Sequence, residues 1–232
     1  GPRDRIRSTF NYIFTSRINS LIPAFTYFGL HAGYYMGTLP LIIDNILTDK
    51  TASEVNSITG YLFGVGSIGQ AVGGLITNRL IIAFGKRGCF TVCAATVSFG
   101  LVGLMVVLAN DFNFWRWAFV LIIWSFGVGL LRTSLTTICS EEERKLDAFA
   151  MERVSSSSGQ CLGYILGMLL PVTHPYPFIM IQLFMFGFSV WLALKLFTKV
   201  ERRAIEFQEV PPSLSMVSDV ETHQKIEFME AP

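Results

Sequence analysis

The sequence predicts an all-α membrane protein that crosses the bilayer as six transmembrane helices, and three observations predict it. Charged residues make up only 15% of the 232-residue chain, while 51% are hydrophobic and the mean hydropathy is +0.49. A soluble domain carries about 25% charged residues because its surface faces water. Uncharged runs of bilayer-crossing length recur along the chain, and the basic residues between them gather on one side.

A helix rises ~1.5 Å per residue, so ~20 apolar residues cross the ~30 Å hydrocarbon core. No charge separates Arg17 from Asp44, which places a first span near 20–43. None separates Glu54 from Arg79 or Arg87 from Asp111, giving spans near 57–78 and 88–109. From Trp117 to Ser140 the one charge is Arg132, giving a span near 117–139. The uncharged run from Val154 to Leu194 holds two spans, 154–171 and 177–198, with Pro171, Pro175 and Pro177 at the turn between them. Proline ends a helix there because each ring removes a backbone donor. The chain therefore divides into a basic segment 1–19, a six-helix bundle 20–198 and a polar tail 199–232, expected to be disordered.

The charges test the count. With six spans, both termini and the second and fourth loops share one side. Fifteen lysines and arginines fall there, including Arg3, Arg79, Arg87, Arg144, Arg153 and Lys195. Lys50 and Arg116 fall on the other side, and Arg132 lies within a span. Basic residues concentrate on the cytoplasmic face of membrane proteins, so both ends are expected to be cytoplasmic.

Helix association in lipid relies on close approach, hydrogen bonds and dispersion. The second span offers Gly60, Gly64, Ser67, Ala71 and Gly74 at spacings of four and three, with Gly66, Gly69 and Gly73 on a neighbouring face. The fifth repeats the device with Ser155, Gly159, Gly163 and Gly167. Both stripes read as helix-packing surfaces, with a sliding face as the functional alternative.

Polar groups at membrane depth are costly, which makes each a functional candidate. His31, with Tyr34 and Tyr35 beside it, sits within the first span. It reads either as a hydrogen-bonded core histidine or as a group that meets a solute. Arg132 either anchors its helix or faces a cavity and binds an anion or a carboxylate partner. Gln160 and Gln182 read as hydrogen-bonding between helices, and Gln160 joins the residues that face a cavity or partner. No acidic residue lies within any span.

An enzyme is disfavoured, because Ser155–Ser158 has no nucleophile elbow, paired base or acidic orienter. Cys89, Cys93, Cys139 and Cys161 form no CxxC pair, and no metal or cofactor site is expected. Nothing points to nucleic acid. The chain opens Gly1-Pro2-Arg3-Asp4 with neither signal peptide nor Met, which reads as a fragment of a longer protein, an expression scar, or both.

The second loop runs Gly74-x3-Asn78-Arg79, then Gly85-Lys86-Arg87. It resembles a stretched signature loop of major facilitator transporters, with Asn78 where Asp usually stands. Further pieces are Ser8-Thr9-Phe10, Leu21-Ile22-Pro23, Phe25-x-Tyr27-x-Gly29-Leu30, Arg79-Leu80-x4-Gly85-Lys86, Gly127-x-Gly129, and Ala148-Phe149-Ala150 through Gly163. Together they resemble the C-terminal half of the family named from "uncoordinated ninety-three", a branch of the major facilitator superfamily. The resemblance implies one half of a twelve-span fold, with an N-terminal six-helix half missing from this chain. It also implies a partner protein: relatives regulate a two-pore potassium channel or escort nucleic-acid-sensing Toll-like receptors to endosomes. His31 stands where the family commonly has Glu, and Arg132-Thr133-Ser134 replaces a Gln-rich stretch, so inherited transport is not expected. The function expected is regulation or trafficking of another membrane protein, with secondary transport of a small solute as the alternative.

The topology makes a direct prediction. Lys50→Cys and Lys86→Cys variants will react with a membrane-impermeant maleimide from opposite faces, and labelling of both from one face would refute the arrangement.

Overall fold

The computed structural model describes residues 7, 11, 12, 17–170 and 175–208, with Arg17 and 199–208 described through their backbone alone. The described residues are mostly helical, with no strand among them. After a 3-10 turn at Arg17–Leu21 come α1 (Ile22–Gly33), a π-helical segment (Tyr34–Thr38), α2 (Leu39–Ile46), α3 (Ala52–Leu108), α4 (Phe114–Glu141), α5 (Lys145–Leu169) and α6 (Tyr176–Gln208). The chain divides into two units, Gly1–Leu194 and Lys195–Pro232. Ser8-Thr9-Phe10, Arg3, Arg5, Pro171, His174 and the tail beyond Gln208 lie outside the described residues.

Local chemistry explains the boundaries. Pro23 stands in the first turn of α1, where its missing N–H costs nothing. Pro40 stands in the first turn of α2, directly after the π segment. A proline has no N–H to give to the preceding turn, and widening that turn accommodates its ring. A capping box opens α3. The Glu54 amide donates to Thr51 Oγ1 at 3.4 Å, and the Thr51 amide donates to Glu54 Oε2 at 2.9 Å. Asn113 Oδ1 caps α4 by accepting from the Arg116 amide at 3.2 Å.

Among the described residues, three helices are long and apolar enough to cross a membrane: α3, α4 and residues Tyr176–Thr198 of α6. At 57 residues α3 would measure ~86 Å if straight, far beyond the ~30 Å core. It bends at Gly85, whose φ of 69° is open to glycine and strained for other residues. The expected second loop is thus a single-residue break. Asn78 and Arg79 lie inside the helix, because Leu80-Ile81-Ile82-Ala83-Phe84 sustain helical backbone and only Gly85 interrupts it. The polar stretch after 198 also departs from expectation, since helix continues to Gln208.

Gly1–Leu194 is built inside out relative to a soluble domain. Leu75, Ile82, Phe84, Trp115 and Phe184 face outward, each at least 66% exposed. Exposed apolar surface on this scale suits lipid and not water. Inside, helices meet backbone to backbone. A Cβ at Gly29 would strike the Ser156 carbonyl, and one at Gly159 the Thr26 carbonyl, so α1 and α5 cross at contact distance. The first half of α3 meets α4 in the same way, with Gly73 against the Phe126 carbonyl and Gly129 against the Gln70 carbonyl. The second half of α3 crosses α4 where Gly100 lies on Trp124.

Valine at Gly159 is expected to destabilise the bundle by about 1–3 kcal/mol or more, since backbone cannot yield as a side chain can. Gly60→Ala, by contrast, is expected to gain up to about 1 kcal/mol, the helix-propensity difference at an open site. Thermal unfolding in detergent checks both.

Candidate functional site

The sequence places polar candidates on three spans, and the structure sorts them into two environments. His31 is 6% exposed, and Tyr34 and Tyr35 are buried beside it. They gather around Trp124 of α4, which is itself fully buried. The His31 ring meets the Trp124 ring edge-on at 4.5 Å and stacks on Tyr35 at 5.5 Å. Tyr34 approaches Trp124 at 6.0 Å and Phe178 of α6 at 4.6 Å. Tyr35 stacks on Phe63 of α3 at 4.7 Å. These are the offset and edge-to-face geometries that aromatic quadrupoles favour.

Tyr27 of α1 meets Phe186 at 4.7 Å. Tyr34–Phe178 and Tyr27–Phe186 run α1 and α6 antiparallel, which sets Gln182 level with Leu30 and His31. Gln182 is fully buried. Among the described residues, His31 Nδ1, the Tyr34 hydroxyl and both amide atoms of Gln182 are buried without a hydrogen-bond partner. Such groups each cost free energy, so this centre is a polar core held by the rings around it.

Arg132 lies elsewhere. It is exposed, its guanidinium sits over the Phe28 ring at 5.4 Å, and it lines a recess between α3 and α4. Gln160 is half-buried; its Nε2 donates to the Tyr164 hydroxyl at 3.3 Å, and its carbonyl touches the site of Gly33. The structure therefore brings His31, Tyr34 and Tyr35 together and leaves Arg132 and Gln160 apart from them.

The glycine candidates divide as well. Gly159 and Gly163 lie against the backbone of α1, Gly167 against Thr38, and Gly74 near Thr133 Oγ1. Gly60 and Gly64 face open space. The neighbouring stripe, Gly66, Gly69 and Gly73, makes the contacts instead, with Gly66 lying on the Tyr35 hydroxyl. In the stretch that resembles the facilitator loop, Asn78, Arg79, Gly85 and Arg87 are exposed, and Lys86 pairs with Glu141 at the end of α4. Next to that pair, the Tyr12 hydroxyl donates to Glu142 Oε2 at 3.1 Å, and Arg144 lies over the Tyr12 ring at 4.9 Å. Burial, with the Glu142 carboxylate alongside, pushes the Tyr12 phenol up to about 12.

Sequence reasoning missed Trp124 as the hub of the core. Its one signal was an aromatic residue preceding Gly127-x-Gly129, which carries no mark of what it faces.

Residues 2–112 match the family model described as ion channel regulatory protein UNC-93. That stretch covers α1, α2 and α3 and stops before Trp124 and Arg132. No curated protein and no solved structure matches the chain.

Trp124→Ala is expected to cost about 3–5 kcal/mol by emptying the centre of the core. His31→Leu is expected to stay within about 1.5 kcal/mol, because it removes an unpartnered buried nitrogen together with the ring. Unfolding of the two variants in one detergent compares them.

Proposed function

We propose that this chain is a non-enzymatic membrane protein that binds and regulates an ion channel within the bilayer. The match of residues 2–112 to an ion channel regulatory family carries the reading. The outward apolar surface and the three membrane-crossing helices agree with it, since a regulator of a channel must share the channel's membrane. In this reading the chain crosses the membrane six times with both ends in the cytoplasm, as one half of a facilitator-like fold. The two arms of α3 on either side of Gly85 act as separate spans.

The contact surface proposed for the partner is the open face of α3 that carries Gly60, Gly64, Ser67 and Ala71. These residues are exposed and small, and nothing lies within reach of a Cβ added at either glycine. Small residues let a second transmembrane helix approach closely, where dispersion and weak hydrogen bonds accumulate. Trafficking of the partner, if the chain escorts it, would use the same face.

Affinity purification from native membranes is expected to recover a channel in stoichiometric amount, and Gly64→Leu is expected to release it while leaving the bundle folded. Uptake of a small solute by the purified protein, with no channel recovered, would overturn the proposal.

A further inference from the structure

Arg132 presents an energetic problem that the regulatory reading does not use. It lies in α4, a helix apolar and long enough to cross the membrane, yet it carries a permanent charge. Among the described residues its guanidinium makes no hydrogen bond and no ion pair; the Phe28 ring is its one contact of note. An unpaired guanidinium at membrane depth is costly, and such groups pair with anions or reach for the interface. Reaching is disfavoured here. Side chains lean toward the N-terminus of their helix, which for α4 points away from the nearer end at Glu141, about 14 Å off at ~1.5 Å per residue. The Phe28 ring at 5.4 Å further holds the head in place.

The surroundings supply what an anion needs. The recess has a volume of about 450 Å³, within the range of small-molecule sites. Ser67, Gln70 and Ala71 line it from α3, and Gly129, Arg132 and Thr133 from α4. Gly129 lies against the Gln70 carbonyl, so this crossing holds the two helices at a set distance across the recess. Thr136 also lines it, but its hydroxyl is spent on the Arg132 carbonyl at 2.9 Å. No carboxylate lines the recess. A guanidinium over a ring keeps its in-plane N–H groups for a fork-like hydrogen bond to two oxygens. The hydroxyls and amide from both helices remain for a third oxygen.

The geometry points to a phosphate-binding site at this recess, with Arg132 as the charged anchor and Ser67, Gln70 and Thr133 as neutral donors. The phosphate is that of a small solute or of an anionic lipid headgroup, and the two share one chemistry. Arg132 and Thr133 lie beyond the stretch matched by the regulatory family, whereas Ser67 and Gln70 lie within it.

The test uses the full chain in phosphate-free maltoside detergent, titrated with inorganic phosphate in one arm and with phosphatidic acid in the other. Thermal stabilisation in the first arm identifies a solute site, and stabilisation in the second alone identifies a headgroup site; either supports the proposal. Arg132→Gln is expected to weaken the effective ligand about tenfold or more, the loss that accompanies one charge-assisted hydrogen bond. Arg116→Gln, outside the recess, is expected to leave it unchanged. Should Arg132→Gln fail to fold, Ser67→Cys in a Cys161→Ser background reports on the intact recess. Its thiol is expected to react several-fold faster with an anionic than with a cationic methanethiosulfonate, and the effective phosphate ligand is expected to slow it. No stabilisation in either arm, undiminished binding by Arg132→Gln, or equal reaction with both reagents would each overturn the site.

Discussion

Helices in lipid gain nothing from hiding apolar surface, because the surrounding tails are as apolar as their own side chains. What holds this bundle together is contact between backbones, and glycine is the residue that permits it. At the crossings of α1 with α5 and of α3 with α4, the space for a Cβ is already taken by a carbonyl of the facing helix. Every other feature depends on that spacing. Trp124 fits because Gly100 yields room beside it, and Tyr35 reaches the axis of α3 because Gly66 has no side chain.

Close packing at the crossings leaves a centre that is aromatic and polar and an exterior that is apolar. His31, Tyr34 and Gln182 are enclosed by rings from α1, α4 and α6. Their unpartnered atoms oppose stability, and the ring contacts around them offset that cost. The rings specify the arrangement, since few alternative packings would keep the edge-on and stacked contacts around Trp124.

Helix α4 therefore carries two kinds of polar chemistry about two turns apart. Trp124 faces inward and organises the core, whereas Arg132 faces a recess open to the surroundings. The first suits rigidity and the second suits recognition. The proposed regulation of a channel draws on both, because a rigid bundle presents a surface whose shape does not depend on the partner. The exposed small-residue face of α3 shares Ser67 and Ala71 with the recess, so the two proposed surfaces, for partner and for anion, overlap there.

Composition and charge spacing alone determined that the chain is helical and membrane-embedded, because a chain so poor in charge cannot cover its surface for water. Uncharged stretches between Glu54 and Arg79 and between Arg87 and Asp111 carried that signal, whereas the structure replaced the loop expected between them by a single bend at Gly85. The spacing of Gly159 and Gly163 marked them as a packing stripe, and the structure lays both against the backbone of α1. Tertiary structure decided which glycine face of α3 closes. Gly60 and Gly66 belong to stripes of similar spacing, and only the position of α4 selects the one with Gly66. It also decided that His31 turns inward while Arg132 turns outward. Periodicity assigns residues to faces of one helix, but which face meets a neighbour depends on contacts between segments far apart in the chain.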